Sequence, residues 1–385
     1  MARIAIDARM CGYRQGGIAS YTRQLTAALA PLLTARGDTL IVGRARRGGT
    51  VLPGQPGQQE TRLWTPPHHR FERWTLPIEW LRTRCDLLHT PDFLPVRPGP
   101  WRTVITVHDL DFLRHPDRLT AEAQRYYGRI YWAVHHADAI IAVSQATRDD
   151  LVNLTGADPC RITVIHEAAD ARFRPGNRAA SSVDSLLDVA GTRIPTPFFL
   201  FVGTIEPRKN LDTLLDAYAA YRQSSPAASH LVIAGAAGWN SARTVARLKT
   251  EPGVTWLDPA ETSTLVALYQ HATALLLPSW DEGFGLPVVE AMASGTPVAI
   301  SNAAALVEIA GDAALVAPAN DPRAWTALLA TLATDDAKRA AMRARGLTRA
   351  AHFSWERAAH ETANVYTRVL AESRRTHHER NSSAS

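Results

Sequence analysis

Lysine is almost missing: Lys209, Lys249 and Lys338 are the only three, and arginine supplies the rest of the 42 basic residues. With so much alanine, this reads as genome composition rather than design. Cysteine is equally scarce. Cys11, Cys85 and Cys160 are odd in number, far apart and without a Cys-x-x-Cys pair, which argues against a disulfide framework, a zinc motif or a redox motif and leaves free thiols as the expectation. No apolar run reaches 18 residues, so no segment is a spanning-helix candidate. The opening MARIAIDARM holds an apolar run too short for a signal-peptide core, and the expected location is the cytoplasm. No G-x-G-x-x-G follows the first apolar run, which excludes a dehydrogenase fingerprint. The residues before the lysines are Arg208, Leu248 and Ala337, so there is no Gly-Lys of a P-loop. No basic run interleaved with aromatics suggests nucleic acid as a partner.

What is present is a globular composition, 46% hydrophobic and 21% charged over 385 residues, enough for two domains at roughly 100–200 residues each. The net charge of +5 is uneven: residues 1–193 carry 25 basic and 19 acidic side chains, the remainder 17 and 18. Short apolar runs alternate with segments of helical period, the pattern of βαβ units around buried parallel sheets. In the first half the runs fall near Ile4–Asp7, Thr39–Gly43, Leu87–His89, Thr103–His108, Ala139–Val143 and Ile162–His166. In the second they fall near Phe198–Gly203, Leu231–Ala234, Val254–Leu257, Ala274–Leu277, Pro297–Ile300 and Ala314–Val316. The expected fold is α/β, with two Rossmann-like doubly wound domains facing a cleft, over residues 1–170 and 197–353. A Pro- and Ser-rich linker with at most one short helix is expected over 171–196, a C-terminal helix over 354–372 and a disordered tail over 373–385. Ser144 and Ser279, each following an apolar strand, are the expected helix starts.

Four stretches carry chemistry. In LLLPSWDEGFGLPVVEAMASG (275–295) a buried strand ends at Pro278 and a glycine-flanked loop enters a helix near Pro287. Gly283 and Gly285 let backbone N–H groups approach a ligand, and the helix N-terminus favours an anion, so the place suits a diphosphate with Glu282 and Glu290 on either side. Carboxylates accept from vicinal hydroxyls, so the pair could hold a sugar and a ribose; equally, Glu282 could be a solvated loop residue and Glu290 a helix-dipole partner. In FFLFVGTIEPRKN (198–210) a strand and a loop containing Gly203 precede Arg208 and Lys209, which suit a diphosphate or form a solvated basic pair. RQGGIAS (14–20) places Gly16 and Gly17 after the first strand, either beside a phosphate or simply in a tight turn. His108 and Asp109 close the strand VITVHDL, at the end where open α/β sheets place ligands. His68-His69 and His135-His136 are poor metal pairs, because adjacent side chains diverge on a strand or a helix.

Together these stretches resemble the retaining nucleotide-sugar glycosyltransferases of family 4, with a GT-B fold and an E-x7-E signature. The resemblance runs from Ile4 to about Trp355 and is nearest to bacterial mannosyltransferases of surface polysaccharide assembly. It rests on 278–297, with support from 203–210, DARMCGYRQGGIASY (7–21) and TVHDLDFLRHP (106–116). It implies Glu290 on the nucleotide ribose, Glu282 with the backbone of Phe284 and Gly285 on the donor sugar, and Arg208 and Lys209 on the diphosphate. It also implies His108 beside the reacting sugar, with Gly17, Gly203, Gly283 and Leu286 among the donor contacts, an acceptor-binding first domain (1–170) and a nucleotide-sugar-binding second domain (197–353). The implied reaction moves a hexose, above all mannose from GDP-mannose, to a glycan or lipid-linked glycan, with no resident cofactor and no metal. Ala303–Glu308 lacks a proline usual in the family, and Asp258 and Ala168 stand where glycine is common.

A sugar-nucleotide epimerase of the same fold and a non-catalytic sugar-nucleotide-binding protein are the alternatives. A glycosidase using Glu282 and Glu290 fits less well, because the surrounding glycines and cations point to phosphate. Phe71, Trp74 and Trp80 among Arg70, Arg73, Arg82 and Arg84 suggest peripheral contact with an anionic membrane at its inner face.

Overall fold

A computed structural model describes residues 1–12, 16–46, 51, 58–69, 71–93, 99–116, 121–176, 186–189, 191–225, 228–258 and 261–382. Arg14 and Gln15 of the glycine turn, Arg70, and 177–185 of the linker lie outside them. The chain divides into two units, one of residues 1–167 with 354–385, the other of 168–353.

The first unit is built on seven strands: β1 (Arg3–Asp7), β2 (Thr39–Ala45), β3 (Gln58–Leu63), β4 (Leu87–Thr90), β5 (Arg102–Val107), β6 (Ala139–Ala142) and β7 (Ile162–Val164). Their order is β3-β2-β1-β4-β5-β6-β7 and every pair is parallel. The central strands are buried along their length, as AIIA of β6 illustrates, because both sheet faces are covered. The sequence reading missed β3. Its QQETRL has no apolar periodicity, since it is an edge strand with mostly exposed or half-exposed residues.

Next comes a short antiparallel hairpin, β8 (Leu186–Val189) with β9 (Thr192–Pro195), where a linker with at most one helix was expected. The second unit's main sheet has β10 (Phe198–Val202), β11 (His230–Ala234), β12 (Val254–Leu257), β13 (Ala274–Leu277), β14 (Val298–Ser301) and β15 (Ala314–Ala317). The order is β12-β11-β10-β13-β14-β15, again parallel throughout. In each unit the order reverses beside the first main strand, between β1 and β4 and between β10 and β13. The carboxyl ends of those strands form the crevice in which such sheets bind ligands.

Ser144 caps the helix Gln145–Thr155 by accepting from the Thr147 N–H. Ser279 caps nothing: the helix after β13 starts only at Leu286, and the Ser279 hydroxyl turns to a carboxylate instead. The last helix spans Trp355–Ser382, beyond the expected end at 372, since its sequence holds neither Pro nor Gly to stop it. It belongs to the first unit, where the Tyr366 hydroxyl meets His89 Nδ1 at 2.6 Å and Trp355 packs edge-on against Tyr21.

The loops that leave β10 and β11 are pressed together. A Cβ added at Gly235 would lie 2.0 Å from the Gly203 carbonyl oxygen, whereas one added at Gly16 meets nothing within 4 Å. Gly235→Ala should therefore cost about 1–3 kcal/mol, since backbone must move to admit the methyl. In thermal melts Gly235→Ala should fall clearly below wild type while Gly16→Ala melts close to it; equal Tm values would contradict the packing described.

Candidate active site

At the second unit's strand reversal, the loop after β10 and the loop after β13 bring three charged side chains together. Lys209 Nζ donates to Glu282 Oε1 at 2.5 Å, and Arg208 Nη1 donates to Glu282 Oε2 at 2.8 Å and to the Asp281 carbonyl at 2.9 Å. The Ser279 hydroxyl adds a third hydrogen bond to Glu282 Oε1 at 2.7 Å. Glu282 is 8% exposed. Burial alone would raise its pKa, but Lys209 and Arg208, with the hydrogen bonds from Lys209 and Ser279, outweigh it and hold the carboxyl at about 2.

Arg208 is clamped from its other side by Glu206, whose Oε1 accepts from Nε and Nη2 at 3.2 and 3.0 Å. Glu206 Oε2 accepts from the Trp239 indole N–H at 3.0 Å. Asn210 anchors the turn, its amide donating to the carbonyls of Pro278 and Ala319. Gly285, at φ 96°, is the N-cap of the helix Leu286–Ala293. Gly283 and Phe284 before it are buried, and Phe284 packs edge-on to Phe353. Glu290 lies in that helix, where Oε2 accepts from the buried Tyr269 hydroxyl at 2.9 Å. Gly203 sits at the end of β10, 3.5 Å from Lys209 Cε by its would-be Cβ.

His108 lies in the first unit, past β5. Nδ1 meets Glu167 Oε1 at 2.9 Å and Nε2 meets the Pro91 carbonyl at 2.8 Å. Both partners are acceptors, so only a doubly protonated ring satisfies both. Burial works against that charge, but the Glu167 hydrogen bond and charge, the Pro91 carbonyl and Asp92 prevail, and the pKa is raised. Both ring nitrogens are thus engaged within the first unit. Its side chain is 16% exposed, and Tyr21 packs edge-on to it at 4.8 Å. Gly17 is exposed at the first turn of helix α1 (Gly17–Ala35).

Arg208, Lys209 and Glu282 thus converge, with Gly203 beside Lys209. Glu290 belongs to a separate pair with Tyr269, and His108 and Gly17 belong to the other unit. The sequence reading missed Glu206, which looks like a solvated carboxylate two residues before an arginine, and Glu167, which nothing in the primary structure links to His108 59 positions away. An Asp-x-Asp triplet, which the sequence reading took to be absent, is present at Asp109-Leu110-Asp111; Asp109 Oδ1 there accepts from the Asp111 N–H at 3.4 Å, and among the described residues no group of three or more acidic, His or Cys side chains is arranged to hold a metal.

The model of the Glycosyl transferases group 1 family matches residues 189–349, and that of Glycosyltransferase Family 4 matches residues 15–173. The chain is 32% identical over 306 residues to an O-antigen chain mannosyltransferase B of Escherichia coli, covering 78% of this chain and 77% of the relative. It is 31% identical over 318 residues to a D-inositol 3-phosphate glycosyltransferase of Corynebacterium glutamicum, covering 79% and 72%. Among solved structures, a sucrose-phosphate synthase of Thermosynechococcus elongatus superposes with a TM-score of 0.77 at 20% identity, over 97% of this chain and 100% of that one.

The two ion clusters have opposite pH signatures. The Glu282 contribution to stability is present above the ordinary carboxylate value of 4.5 and is lost as pH falls towards about 2. The His108 contribution is present below 6.5 and is lost as pH rises through its raised folded value. Urea denaturation at pH 6 and pH 9 should show a larger loss for wild type than for His108→Gln; parallel losses would contradict the doubly protonated ring.

Proposed function

The chain belongs to glycosyltransferase family 4 and has the GT-B fold, and from that premise we propose that it transfers a hexose, above all mannose from GDP-mannose, with retention of configuration to a glycan or lipid-linked glycan. The observation that carries this reading is the buried Glu282 held between Arg208 and Lys209 at the reversal of the second sheet. Two cations beside a helix N-terminus are the electrostatic means of stabilising a leaving diphosphate, and their effect grows as the glycosidic bond breaks. Glu282, the hydrogen-bond acceptor among them, is assigned to the donor sugar, and Glu290 to the ribose. His108 keeps the role the family resemblance implies, contact with the transferred sugar through ring face and charge. Mannose is supported by the Escherichia coli relative. The Corynebacterium glutamicum relative is named for a different transfer.

A screen of nucleotide sugars for released nucleoside diphosphate, with and without glycan acceptor, tests the reading. Release that needs no acceptor would favour an epimerase or hydrolase, and binding without release a non-catalytic module. Lys209→Ala and Arg208→Ala should each lower turnover about tenfold to a hundredfold, the value of a charge-assisted contact. Each leaves Glu282 one cation and Ser279, so neither strands a buried charge. Glu282→Ala should lower kcat more than it raises KM, and Glu290→Ala the reverse. Near wild-type rates in folded Glu282→Ala and Lys209→Ala proteins would remove the site.

We also propose peripheral binding to anionic membrane, now on a corrected set of residues. Trp80 is buried and plays no part in it. Helix α2 (Glu72–Leu81) instead presents Trp74, Ile78 and Leu81, with Phe71 before it, as an exposed stripe at helical spacing, all at least 50% exposed. Arg82 and Arg84 are exposed beside it. Among the described residues no helix is long and apolar enough to cross a membrane. The full chain should sediment with phosphatidylglycerol vesicles and not with phosphatidylcholine vesicles, and Trp74→Ser with Ile78→Ser should weaken this about tenfold or more. Equal, negligible sedimentation with both vesicle types would overturn it.

A further inference from the structure

The helix Leu286–Ala293, which carries Glu290, and the turn that closes it hold one residue of the helix Thr262–His271 at two points. The Tyr269 hydroxyl donates to Glu290 Oε2 at 2.9 Å. The Tyr269 carbonyl accepts from the hydroxyl of Thr296, a buried residue of the closing turn whose own N–H donates to the Ala291 carbonyl at 2.8 Å. Backbone as well as side chain therefore fixes Tyr269 relative to Glu290. Phe173, itself buried, packs edge-on against the Tyr269 ring with 5.5 Å between centroids. Gln270, the next residue, donates to the Arg174 carbonyl at 2.8 Å, so the segment that supplies Phe173 is docked on the same helix.

Tyr269 is fully buried, and among the described residues its hydroxyl bonds only to Glu290. A phenylalanine would fill the same place without a polar atom to satisfy, so the hydroxyl is there for its partner. Burial, then the charge of Glu290 and the hydrogen bond to it, hold the hydroxyl well above the usual tyrosine range, which keeps it a permanent donor. Glu290 is only half-buried, so the pair joins a sealed donor to an acceptor that reaches the surface. A carboxylate accepts about four hydrogen bonds, and one from Tyr269 is compatible with the two that a vicinal diol offers.

We propose that Tyr269 is a positioning residue for nucleotide recognition, its hydroxyl holding the Glu290 carboxylate in the orientation that accepts both ribose hydroxyls of the donor. This role rests on the assignment of Glu290 to the ribose. A glutamate on a helix has three side-chain torsions to fix, and ordering them at the moment of binding costs affinity. The Tyr269 hydroxyl does that ordering before the nucleotide arrives. The effect should fall on the ribose hydroxyls and spare the base and the diphosphate.

The test is isothermal titration calorimetry on the full chain with GDP, UDP and ADP, each beside its 2′,3′-dideoxy counterpart. For the nucleotide that binds tightest, wild type should prefer the ribose form about tenfold or more, as hydrogen bonds to a charged group imply. Tyr269→Phe, which deletes one hydroxyl and keeps the ring against Phe173, should cut that preference about threefold to tenfold while the dideoxy affinity stays near wild type. In a Glu290→Ala background the preference should be lost, and adding Tyr269→Phe should change it no further. A preference that survives whole in Tyr269→Phe, or an equal loss of affinity for both forms, would overturn the role of Tyr269 and leave Glu290 on the ribose. A wild type that binds nucleotide without any ribose preference would take Glu290 off the ribose and the proposal with it. No nucleotide binding at all would count against the glycosyltransferase reading itself and remove the proposal as well.

Discussion

Parallel pairing governs everything described above. When all strands of a sheet run the same way, every β-to-α loop leaves from one edge, and the helices that follow direct their N-terminal N–H groups towards that edge. Where strand order reverses, two such loops diverge and leave a crevice that side chains must fill. The second unit fills it with Glu206, Arg208, Lys209, Ser279 and Glu282, and the first with Asp7, Arg9, Glu72 and Asp92. Neither group comes from a single stretch of chain. Each is assembled because β10 pairs with β13, or β1 with β4, across long sequence separations.

The two crevices solve the same electrostatic problem with opposite signs. In the second unit one buried carboxylate is surrounded by two cations, so its charge is kept and its pKa falls. In the first unit the buried Arg9 guanidinium is shared by Asp7 and Glu72, and the result is the reverse: burial dominates at Glu72 and raises its pKa to about 7, against the opposing charge of Arg9.

Most of the fold was legible because buried parallel strands write themselves as short apolar runs; FFLFV and ALLL could hardly be anything else. Strands outside that rule escaped. QQETRL is an edge strand, and the β8–β9 hairpin carries Leu186, exposed, beside Arg193 and Asp188, so neither shows a core-facing pattern. Site residues followed the same logic. Glu282, Arg208 and Lys209 stood out because glycines, a helix start and a basic pair are local signals. Glu167 and Glu72 were invisible because their partners come from far along the chain, and Glu206 because a carboxylate two residues before an arginine reads as a solvated pair. Trp80 misled in the opposite direction: a tryptophan among arginines looked like a surface anchor, whereas its helix turns that face into the core beside Leu63 and Leu76.

The return of the last helix to the first unit gives the chain an order of assembly. The seven-stranded sheet is complete in sequence by Val164, yet the buried His89, whose pKa is pushed down to about 3 by burial and by His108, receives its Tyr366 partner only from the far end of the chain. On the ribosome, synthesis proceeds from the N-terminus and domains tend to fold as they emerge. Here the sheet made first must wait, with the face that Trp355, Val365, Tyr366 and Val369 will cover still open to water, until all of residues 168–353 have been made. The first unit can therefore complete its core only after the sequence of the second unit has been made.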